Sequence, residues 1–578
     1  MLAAPSALPP VEPLCRALEI SPAFARILAR RGLAEPAAAE AFLLAKLDGL
    51  HDPMTLPDMP RAVARIQEAV EKKQRVVLFG DYDVDGVSST ALLASFFRLV
   101  GLRVEALVPE RARGGYGLSP EALERVRAHK PELLIALDNG ISAHAALNAL
   151  RAQGVDCIVV DHHHVGKEGL PVACAVINPK RPESAYPFRE LCGAGLAFKL
   201  AWALAVGFSR SQKVSPEFRA FLMEALALAA LGTIADVVPL VGENRILAAQ
   251  GLKMLAKPRA PGLTALLTAC QLEGAPSATD VAFRLAPRIN AAGRCGEAAD
   301  ALELLLTEDS ARATFLAQRL DACNRERQGI ELKILDQARE QALAVLQAAG
   351  PPVALLLHST DWHPGVIGIV ASRIVEEFHR PAVLLAVDQE RGLARGSGRS
   401  IRGFHLAEAF AAGSEHLLTY GGHAAAAGLT ARVDALEAFR AAFSAAAAAA
   451  LSPEDLQPSL QLEENLPLAE VTGSFCAELQ RLEPCGMGNS KPTLGAYGVS
   501  VAGQIRAMGA QEQHVNFLAR QNGAVLRAVG FGFGPHFNAL CVAAEAGPLD
   551  LAFRPDLNTF RGETSVQLKL QAFRPSPA

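Results

Sequence analysis

Short apolar runs alternate with helical segments from Arg61 onward, and this alternation constrains the fold more than any other feature of the chain. Each run is short, continuous and bounded by turn residues, which is typical of a strand buried on both faces. Strand, helix and strand at this spacing predict a parallel α/β sheet, in a domain at about 61–250. The runs are RVVLFG (75–80), LRVEALVP (102–109), ELLIALDNG (132–140), DCIVVDHHH (156–164) and CAVINP (174–179).

The rest of the chain divides into regions with different patterns. Residues 1–60 predict a small helical cap broken by Pro and Gly. Residues 251–350 predict a helical connector, in which the segment 300–350 keeps helical periodicity and indicates one long helix or two. Strand-like runs resume in a second α/β domain at about 351–450. Residues 455–578 alternate half-buried strands with turns, which predicts a small β-barrel.

Composition and charge exclude several classes of protein. Half of the residues are apolar and 20% are charged, which excludes general disorder. The net charge of -4 argues against a protein coated in positive charge, so any contact with a polyanion must be local. The ten cysteines show no CxxC spacing, so neither a zinc knuckle nor a disulfide framework is predicted. We expect a cytoplasmic protein without a membrane partner, since the N-terminus lacks a basic region and no long clean apolar stretch is present.

Acidic and imidazole side chains follow the predicted strands, at the edge where parallel α/β sheets bind ligands. Carboxylates gathered in this way repel one another unless a cation lies between them. Two divalent ions about 3.5–4 Å apart can clamp both the attacking and the leaving oxygen of a phosphoryl displacement. A mixed set of carboxylate and imidazole ligands favours Mn²⁺, with Mg²⁺ as the second choice. These side chains are Asp81, Asp83 and Asp85 after the first strand, Asp138, the segment Asp161 to His164, and Asp236 after an apolar helix.

Each of these side chains also has an ordinary structural interpretation. A single Asp after a strand is commonly a helix N-cap, and this alternative stays open for Asp138. The acids at 81–85 also resemble the start of a calcium loop, but the glutamate that completes such a loop is replaced by Leu92. Three successive histidines can form a solvated turn. The coincidence of all four segments at one edge of the sheet nevertheless favours a metal site.

Four short motifs carry a family resemblance. DYDVDG (81–86), LDNGIS (137–142), DHHH (161–164) and IADVVPL (234–240) resemble the four motifs of the DHH phosphoesterases. Within that superfamily the chain resembles the RecJ family, bacterial exonucleases that digest single-stranded DNA 5′→3′. DHH alone is a weak signal, whereas the ordered set over nearly the whole chain is highly specific. The further similar segments are APRINAAGR (286–294), CNRERQ (323–328), WHPGVIGIVASR (362–373), HRPAVLLA (379–386), GGHAAAAG (421–428), LEPCGMGN (482–489) and NTFRGETSVQLKL (558–570).

The resemblance implies a centre with two divalent cations. Asp138 would bridge the two ions and act in catalysis. His163 would be the acid or a phosphate contact, in line with the need for a proton source at a leaving oxygen. Asp81 is either a ligand or the partner of a ligand, and His164 is interpreted as a turn residue or the partner of a ligand. The implied metal-binding residues are Asp81, Asp83, Asp85, Asp138, His162 and Asp236.

Contacts to nucleic acid are expected in arginine-containing and glycine-rich segments. Residues 281–294 and 391–402 carry arginines and no acid, and Arg suits bidentate phosphate contact, although such stretches are commonly solvated faces. The resemblance implies a DHHA1 substrate domain at 351–450 and an OB-fold single-strand-binding domain at 455–578. The expected nucleic-acid-binding residues are Arg111, Arg113, Arg288, Arg294, Ser372, Arg373, Arg395, Gly422 and His423.

The predicted function is a metal-dependent exonuclease that degrades single-stranded DNA 5′→3′ to 5′-mononucleotides in DNA repair and recombination. The direction and the biological setting come from the resemblance. Two alternatives stay open: a phosphoesterase of the same superfamily that acts on short oligonucleotides, and a DNA-binding scaffold without catalysis. The barrel and the cap argue against the first, and the intact motif acids argue against the second. We expect a monomer, and the resemblance implies a helicase and single-strand-binding protein as partners.

Overall fold

The computed structural model of the protein describes residues 10–109, 117–209, 213–295, 297–347, 350, 352–560 and 562–577. The strands, numbered in chain order, are β1 Val76–Phe79, β2 Val104–Leu107, β3 Leu133–Leu137, β4 Asp156–Val160, β5 Ala175–Ile177, β6 Leu355–Ser359, β7 Ala382–Asp388, β8 Leu393–Arg399, β9 Leu417–Gly422, β10 Ala426–Arg432, β11 Glu464–Asn465, β12 Leu494–Met508, β13 His514–Gln521, β14 Ala524–Gly530, β15 Leu549–Phe560 and β16 Glu563–Pro575.

The helices are named by their ranges. A π-helical turn, Val281–Leu285, joins the helices Ala278–Asp280 and Ala286–Cys295 into one continuous helix. The α-helices are Glu12–Leu18, Pro22–Arg30, Pro36–Leu44, Met59–Glu71, Val84–Leu99, Pro120–Ala128, His144–Arg151, Gly193–Ser209, Pro216–Ala235, Gly242–Leu255, Pro261–Ala269, Ala278–Asp280, Ala286–Cys295, Ala298–Leu306, Ser310–Gln347, Ile367–Phe378, Leu406–Ala412, Leu436–Ala450, Gly473–Gln480 and Phe537–Ala546.

The first sheet is parallel, as predicted, with strand order β2-β1-β3-β4-β5. All residues of β1 and β3 are buried, because helices cover both faces of the sheet. The chain leaves β1 toward β2 on one side and returns to β3 on the other. The order of strands therefore reverses between β1 and β3, and in open α/β sheets ligands bind in the crevice at such a point.

One helix at the centre of this domain is apolar along most of its length. Pro216–Ala235 is long and apolar enough to cross a membrane by length and composition alone. It packs against Val84–Leu99, Gly193–Ser209 and Gly242–Leu255, and 56% of its most apolar window is buried in the protein. A core helix passes the same test of length and composition. The helix ends at Asp236, so the packing that buries it also places an acid beside the sheet.

A single helix of 38 residues, Ser310–Gln347, connects the first sheet to the second. Over 300–350, where the sequence allowed one long helix or two, the chain forms two: the end of Ala298–Leu306 and then this long helix. The second sheet has the order β6-β7-β8-β10-β9, in which β6 and β7 are parallel and the other pairs are antiparallel. The helix Ile367–Phe378 packs on β7 and β8 and also contacts the long helix.

The C-terminal strands close into the predicted barrel. Five strands pair in the circular order β12, β13, β14, β16 and β15, and β15 pairs again with β12. The helix Phe537–Ala546 lies between β14 and β15 in the chain. The strand pattern predicted a small barrel, and a closed five-stranded barrel of this kind is the OB-fold that the family resemblance implied.

The N-terminal helices share a hydrophobic core with this barrel. Phe24 and Leu28 are buried in the same cluster as Phe475 and Phe553, more than 400 residues further along the chain. Charged contacts add to the apolar ones: Arg31 forms a two-pronged ion pair with Glu463, each N–O distance being 2.8 Å. The N-terminal helices and the C-terminal barrel therefore form one packed unit.

A buried arginine links this N- and C-terminal unit to the first α/β domain. Arg245, on the helix Gly242–Leu255, is 1% exposed, and its guanidinium lies 3.8 Å from the centre of the Phe42 ring. Burial lowers the pKa of Arg245 to about 10. The cation is stabilised by backbone carbonyl groups, which place their negative ends around it. The acceptors are the carbonyl oxygens of Phe42, Arg481, Leu482, Glu483 and Pro484.

Replacing Arg245 with Ala is expected to lower the free energy of unfolding by about 3 kcal/mol or more, because several buried carbonyl groups lose a charged donor. Denaturant unfolding followed by circular dichroism measures the change. Arg259→Ala is the matched control, since Arg259 is exposed and forms a surface ion pair with Glu224. Equal midpoints for the two variants would show that the carbonyl contacts of Arg245 do not hold the domains together.

Candidate metal centre

Acidic and imidazole side chains from four segments meet at the switch point of the first sheet. Nε2 of His162 lies 3.1 Å from Oδ1 of Asp138, 3.5 Å from Oδ2 of Asp236 and 3.9 Å from Oδ2 of Asp85. Three overlapping groups each bring their ligand atoms within 4.8 Å of one another. These groups are Asp81, Asp83 and Asp138; Asp85, His162 and Asp236; and Asp138, His162 and His163.

Asp85 is held by the start of a neighbouring helix. Its two carboxylate oxygens accept hydrogen bonds from the backbone N–H groups of Gly193 and Ala194, at 2.6 and 2.7 Å. A helix N-terminus carries partial positive charge and unpaired N–H groups, so it stabilises a carboxylate there. Burial and the repulsion of Asp83 nevertheless raise the pKa of Asp85 to about 6. One helix end is therefore not enough to balance the local negative charge.

Asp138 has an unusual backbone conformation. It follows β3 with a φ of +60°, in the left-handed region that non-glycine residues adopt at a cost of about 1–3 kcal/mol. Its side chain is buried, and burial followed by repulsion from Asp85 and Asp83 raises its pKa well above the usual range. The helix that follows begins at His144 and has Ala143 as its N-cap, so Asp138 does not cap it. The strained backbone therefore turns this carboxylate into the cluster.

The acids of the first motif differ in their contacts. Oδ1 of Asp83 accepts a hydrogen bond from the N–H of Gly86 and so caps the helix Val84–Leu99. Asp81 is buried and accepts a hydrogen bond from the N–H of Tyr82. Both still place an oxygen in the group that contains Asp138. A helix cap and a cation ligand are compatible roles for Asp83, because a carboxylate has two oxygens.

The two histidines next to Asp161 have opposite electrostatic environments. Burial and the neighbouring His163 lower the pKa of His162 to about 3, so its imidazole is neutral and able to bind a metal. His163 Nδ1 lies 2.7 Å from Oδ1 of Asp161. Burial opposes the charge on His163, but the contact with Asp161 raises its pKa to about 9. The contact with Asp161 therefore orients the His163 ring and favours its protonated form.

Asp161 was named in the sequence only as part of the DHHH segment, and no role was assigned to it. It is buried and accepts hydrogen bonds from the N–H groups of Ile141 and His163 as well as facing the His163 ring. Its position as the first residue of DHHH was the available signal, but only the fold shows that it turns away from the metal cluster. Asn290 was also missed: its Oδ1 accepts a hydrogen bond from the N–H of Val84, beside Asp83.

The donor set fits divalent cations. Among the residues that the structure describes, no hydrogen-bond partner is found for Oδ1 of Asp138, either ring nitrogen of His162, or Oδ2 of Asp236. Buried polar atoms are normally paired, so unpaired atoms that face one another indicate a ligand. Burial followed by repulsion from Asp85 raises the pKa of Asp236 to about 8, and a bound cation would reverse that repulsion. Carboxylate and imidazole ligands suit Mn²⁺, with Mg²⁺ as the alternative.

Glycines surround the ligands because larger residues would displace them. A Cβ atom on Gly232 would lie 2.5 Å from both Oδ1 of Asp85 and Cβ of Ala194. A Cβ on Gly193 would lie 2.7 Å from Cβ of Asp138. Both distances are too short for non-bonded carbon and oxygen atoms. These two glycines therefore allow the helices to approach the carboxylates closely.

A cleft of about 700 Å³ opens beside the cluster between the two α/β domains. Ala235, which precedes Asp236, contributes to its wall, together with Asn290. Three of the predicted nucleic-acid-binding residues, Arg294, Ser372 and Arg373, also contribute. Arg294 links the helical connector to the second α/β domain, since its Nη1 donates a hydrogen bond to the carbonyl oxygen of Gly365 at 2.8 Å.

The other predicted nucleic-acid-binding residues lie elsewhere. Arg288 contacts Asp321 of the long helix at 2.9 Å and is not among the described residues that line the cleft. Arg395 is exposed on β8. Gly422 and His423 form the turn between β9 and β10, and the His423 ring lies 6.3 Å from the ring of His164. Arg111 and Arg113 lie outside the described residues.

The fold and the site together define a class of enzyme. A parallel sheet with a carboxylate–imidazole cluster at its switch point, joined by a long helix to a second α/β domain, is the architecture of the DHH phosphoesterases. Family models match three parts of the chain. They match residues 75–233 as the DHH family N-terminal domain, 345–449 as the DHHA1 domain and 462–572 as the RecJ OB domain.

Curated relatives identify the family within this class. The single-stranded-DNA-specific exonucleases RecJ of Dickeya dadantii and Escherichia coli are 36% and 34% identical over 565 residues, and each alignment covers 95% of both proteins. The chain belongs to the RecJ family. The RecJ of Bacillus subtilis is 37% identical over 91% of this chain, and the chain spans 64% of the length of that relative.

A solved structure agrees with this assignment. RecJ from Thermus thermophilus in complex with Mn²⁺ has a TM-score of 0.82 and 33% identity, covering 99% of this chain and 79% of that protein. The same protein in complex with Mg²⁺ has a TM-score of 0.77 and 29% identity. The similarity therefore includes the arrangement of the domains as well as the fold of each one.

Gly232→Ala is expected to weaken metal binding and to slow single-strand digestion at least about tenfold, equivalent to about 1.4 kcal/mol. The added methyl group would push on Asp85 and on the helix end that holds it. Calorimetric titration with Mn²⁺ measures binding separately from activity. Gly329→Ala is the matched control, because Gly329 is also within a helix but has open space around it. Unchanged affinity for Mn²⁺ in the Gly232 variant would contradict this account of the ligand geometry.

Proposed function

We propose that this chain removes nucleotides from the 5′ end of single-stranded DNA with two divalent cations, Mn²⁺ being preferred and Mg²⁺ usable. The observation that carries the proposal is the meeting of unpaired, buried ligand atoms from separate segments at one point. The names of the relatives support the substrate, and the titles of the Thermus structures support the ions. The residues that would hold the ions are Asp81, Asp83, Asp85, Asp138, His162 and Asp236.

Hydrolysis of the terminal linkage breaks the bond between phosphorus and the 3′ oxygen of the outgoing nucleotide. Water supplies the hydroxyl group that phosphorus gains, and the 3′ oxygen takes up a proton. Divalent cations bound in the cluster would neutralise the phosphate and make water more acidic. His163 is the proposed proton donor to the 3′ oxygen, since Asp161 holds its ring and favours its protonated form. The products are a 5′-mononucleotide and a strand shortened by one residue.

The cleft supplies a reason for single-strand specificity. Its walls come from the catalytic domain, the connector and the second α/β domain, so a strand must pass between packed elements to reach the ligands. A duplex is wider and would be excluded sterically. Arg294, Ser372 and Arg373 are the proposed phosphate contacts in the cleft, and Arg guanidinium groups suit phosphate geometry.

Other contacts are proposed outside the cleft. Arg395, Gly422 and His423 belong to the second α/β domain, and Arg111, Arg113 and Arg288 extend the track from the first domain and the connector. The OB barrel is proposed to hold the strand beyond the cleft by base stacking and backbone contact. We divide the chain into a cap at 1–60, a DHH domain at 61–250, a connector at 251–350, a DHHA1 domain at 351–450 and an OB-fold domain at 455–578.

The cellular role that we propose is DNA repair and recombination in the cytoplasm. The protein would act there as a monomer, with a helicase to open duplexes and single-strand-binding protein on the substrate. This part of the proposal is supported by membership of the RecJ family.

End-labelled single strands with a blocked 5′ or 3′ end test the reaction. Digestion is expected to stop when the 5′ end is blocked, to continue when the 3′ end is blocked, and to cease with a chelator until Mn²⁺ is restored. Asp138→Ala is expected to lose at least about 100-fold in rate, because the proposed bridging ligand is removed. Equal rates on a dinucleotide and on a long strand would instead favour a phosphoesterase of short oligonucleotides.

Asp161→Asn tests the proposed role of His163. The variant loses the carboxylate that orients the His163 ring, so kcat is expected to fall by about 100-fold. Affinity for Mn²⁺, measured by calorimetry, is expected to remain unchanged because Asp161 faces away from the cluster. Asp156→Asn, at the opposite end of β4, is the control and should keep full activity. A full kcat in the Asp161 variant would exclude His163 as the oriented proton donor.

A further inference from the structure

Three charged side chains meet at the wall of the cleft. Glu331 and Arg327 lie one turn apart on the long helix and are 3% and 7% exposed. Arg327 Nη1 donates a hydrogen bond to Oε2 of Glu331 at 2.6 Å, and its Nη2 donates one to Oδ1 of Asn324 at 2.7 Å. The other oxygen of Glu331, Oε1, lies 2.6 Å from Nε of Arg373, on the second α/β domain.

The burial of this network requires an explanation other than stability. Removing a carboxylate and a guanidinium from water costs several kcal/mol per ion, and their attraction often does no more than offset that cost. An apolar pair would hold the long helix to its neighbours at least as well. A buried ion pair is better explained by the geometry that it imposes on a third group, which here is Arg373.

Arg373 is fixed on one side and open on the other. Its side chain is 53% exposed, whereas the Glu331 carboxylate that it contacts is nearly inaccessible. The contact is an ion pair rather than a well-aligned hydrogen bond, since Oε1 of Glu331 has no such bond among the described residues. The outer edge of the guanidinium therefore keeps its N–H groups for another acceptor, in the cleft that Ser372 and Arg294 also line.

The same cleft lies close to the metal cluster. Ala235 contributes to the wall and is followed by Asp236, and Asn290 contributes to it while bonding the backbone next to Asp83. An anion bound by Arg373 would thus lie on the path of a strand whose phosphate reaches the ligands.

We propose that Glu331, itself oriented by Arg327, is a positioning residue that presents Arg373 to a phosphate of the single strand. The inference deepens the proposed function and rests on it. Glu331 does not touch the substrate; it sets the direction of the guanidinium and neutralises the inner of the two arginines. The bound group is a phosphodiester or phosphomonoester, either of which matches a guanidinium. The CNRERQ segment, which contains Asn324 and Arg327, thereby acquires a role in substrate binding.

A simple tether between the two helices is the competing explanation, and the chain contains a matched control for it. Arg339, on the same long helix, contacts Glu377, on the same helix as Arg373, through three N–O distances of 2.8 to 3.0 Å. This second ion pair is partly exposed, and neither residue is among the described residues of the cleft. Glu377→Gln removes a tether between the same elements without touching Arg373.

The experiment compares steady-state kinetics of Glu331→Gln, Arg373→Ala, the double variant and Glu377→Gln on single strands. Glu331→Gln is expected to raise KM at least about tenfold with kcat within about twofold, because a substrate contact is weakened equally in the ground and transition states. Arg373→Ala should do the same, and the double variant should equal Arg373→Ala alone, since Glu331 acts through Arg373. Glu377→Gln should leave both constants unchanged.

Two further measurements separate positioning from loss of structure. The slope of log Kd against log salt concentration should decrease by about 0.7 in both Glu331→Gln and Arg373→Ala, as expected for one lost phosphate contact on a single strand. Glu331→Asp keeps the carboxylate charge, so it should retain part of the affinity for the single strand that Glu331→Gln loses. Strands with a 5′-phosphate and with a 5′-hydroxyl show whether Arg373 contacts a terminal or an internal phosphate. If the phosphate is terminal, the increase in KM will differ between the two strands; if it is internal, the increase will be the same.

The outcomes distinguish this inference from the proposed function. An unchanged KM in Arg373→Ala would show that Arg373 does not contact a phosphate of the substrate. A raised KM in Arg373→Ala with an unchanged KM in Glu331→Gln would overturn the positioning role alone. Additive effects in the double variant, an equal effect of Glu377→Gln, or tighter binding in Glu331→Gln would also overturn it.

Discussion

Repulsion among buried carboxylates at the switch point of the first sheet is the constraint on which the rest of the structure depends. Asp85 and Asp138 are almost inaccessible to solvent, and Asp236 approaches the same imidazole. The protein holds them with local devices: a helix N-terminus on Asp85, a left-handed backbone at Asp138, and glycines that allow close approach. These devices place the oxygens but leave net negative charge, which is the condition that divalent cations satisfy.

The domain arrangement turns this centre into a site for a strand. The long helix spans the distance between the two α/β domains, and Arg294 of the connector bonds to the second domain at the edge of the cleft. On another side, Arg245 joins the catalytic domain to a unit made from both ends of the chain. The cluster and the cleft are thus parts of one packed body, and the buried network around Glu331 lies where the long helix meets the second domain.

Sequence patterns predicted the fold well because the strands and helices depend mainly on the residues within each segment. Continuous apolar runs indicated buried parallel strands, and acids at the ends of β1, β3 and β4 had to meet because those strands are neighbours. Short alternating strands predicted the small barrel, and the family resemblance identified it as an OB-fold. The patterns were less informative for charged residues. Arg288 and Arg373 are both arginines in motif segments, yet one is paired with Asp321 outside the cleft and the other lines it.

The sequence by itself determined the sheet, the family and the residues that had to converge, because strand periodicity and motif spacing are encoded over short distances. Only the tertiary structure decided which side chains are oriented by others. Asp161 faces His163 rather than the cluster, Arg245 lies among carbonyl groups from a segment more than 200 residues away, and Glu331 meets Arg373 across a domain boundary. Such contacts depend on how whole elements pack, and no local pattern specifies the partner of a charge between distant elements.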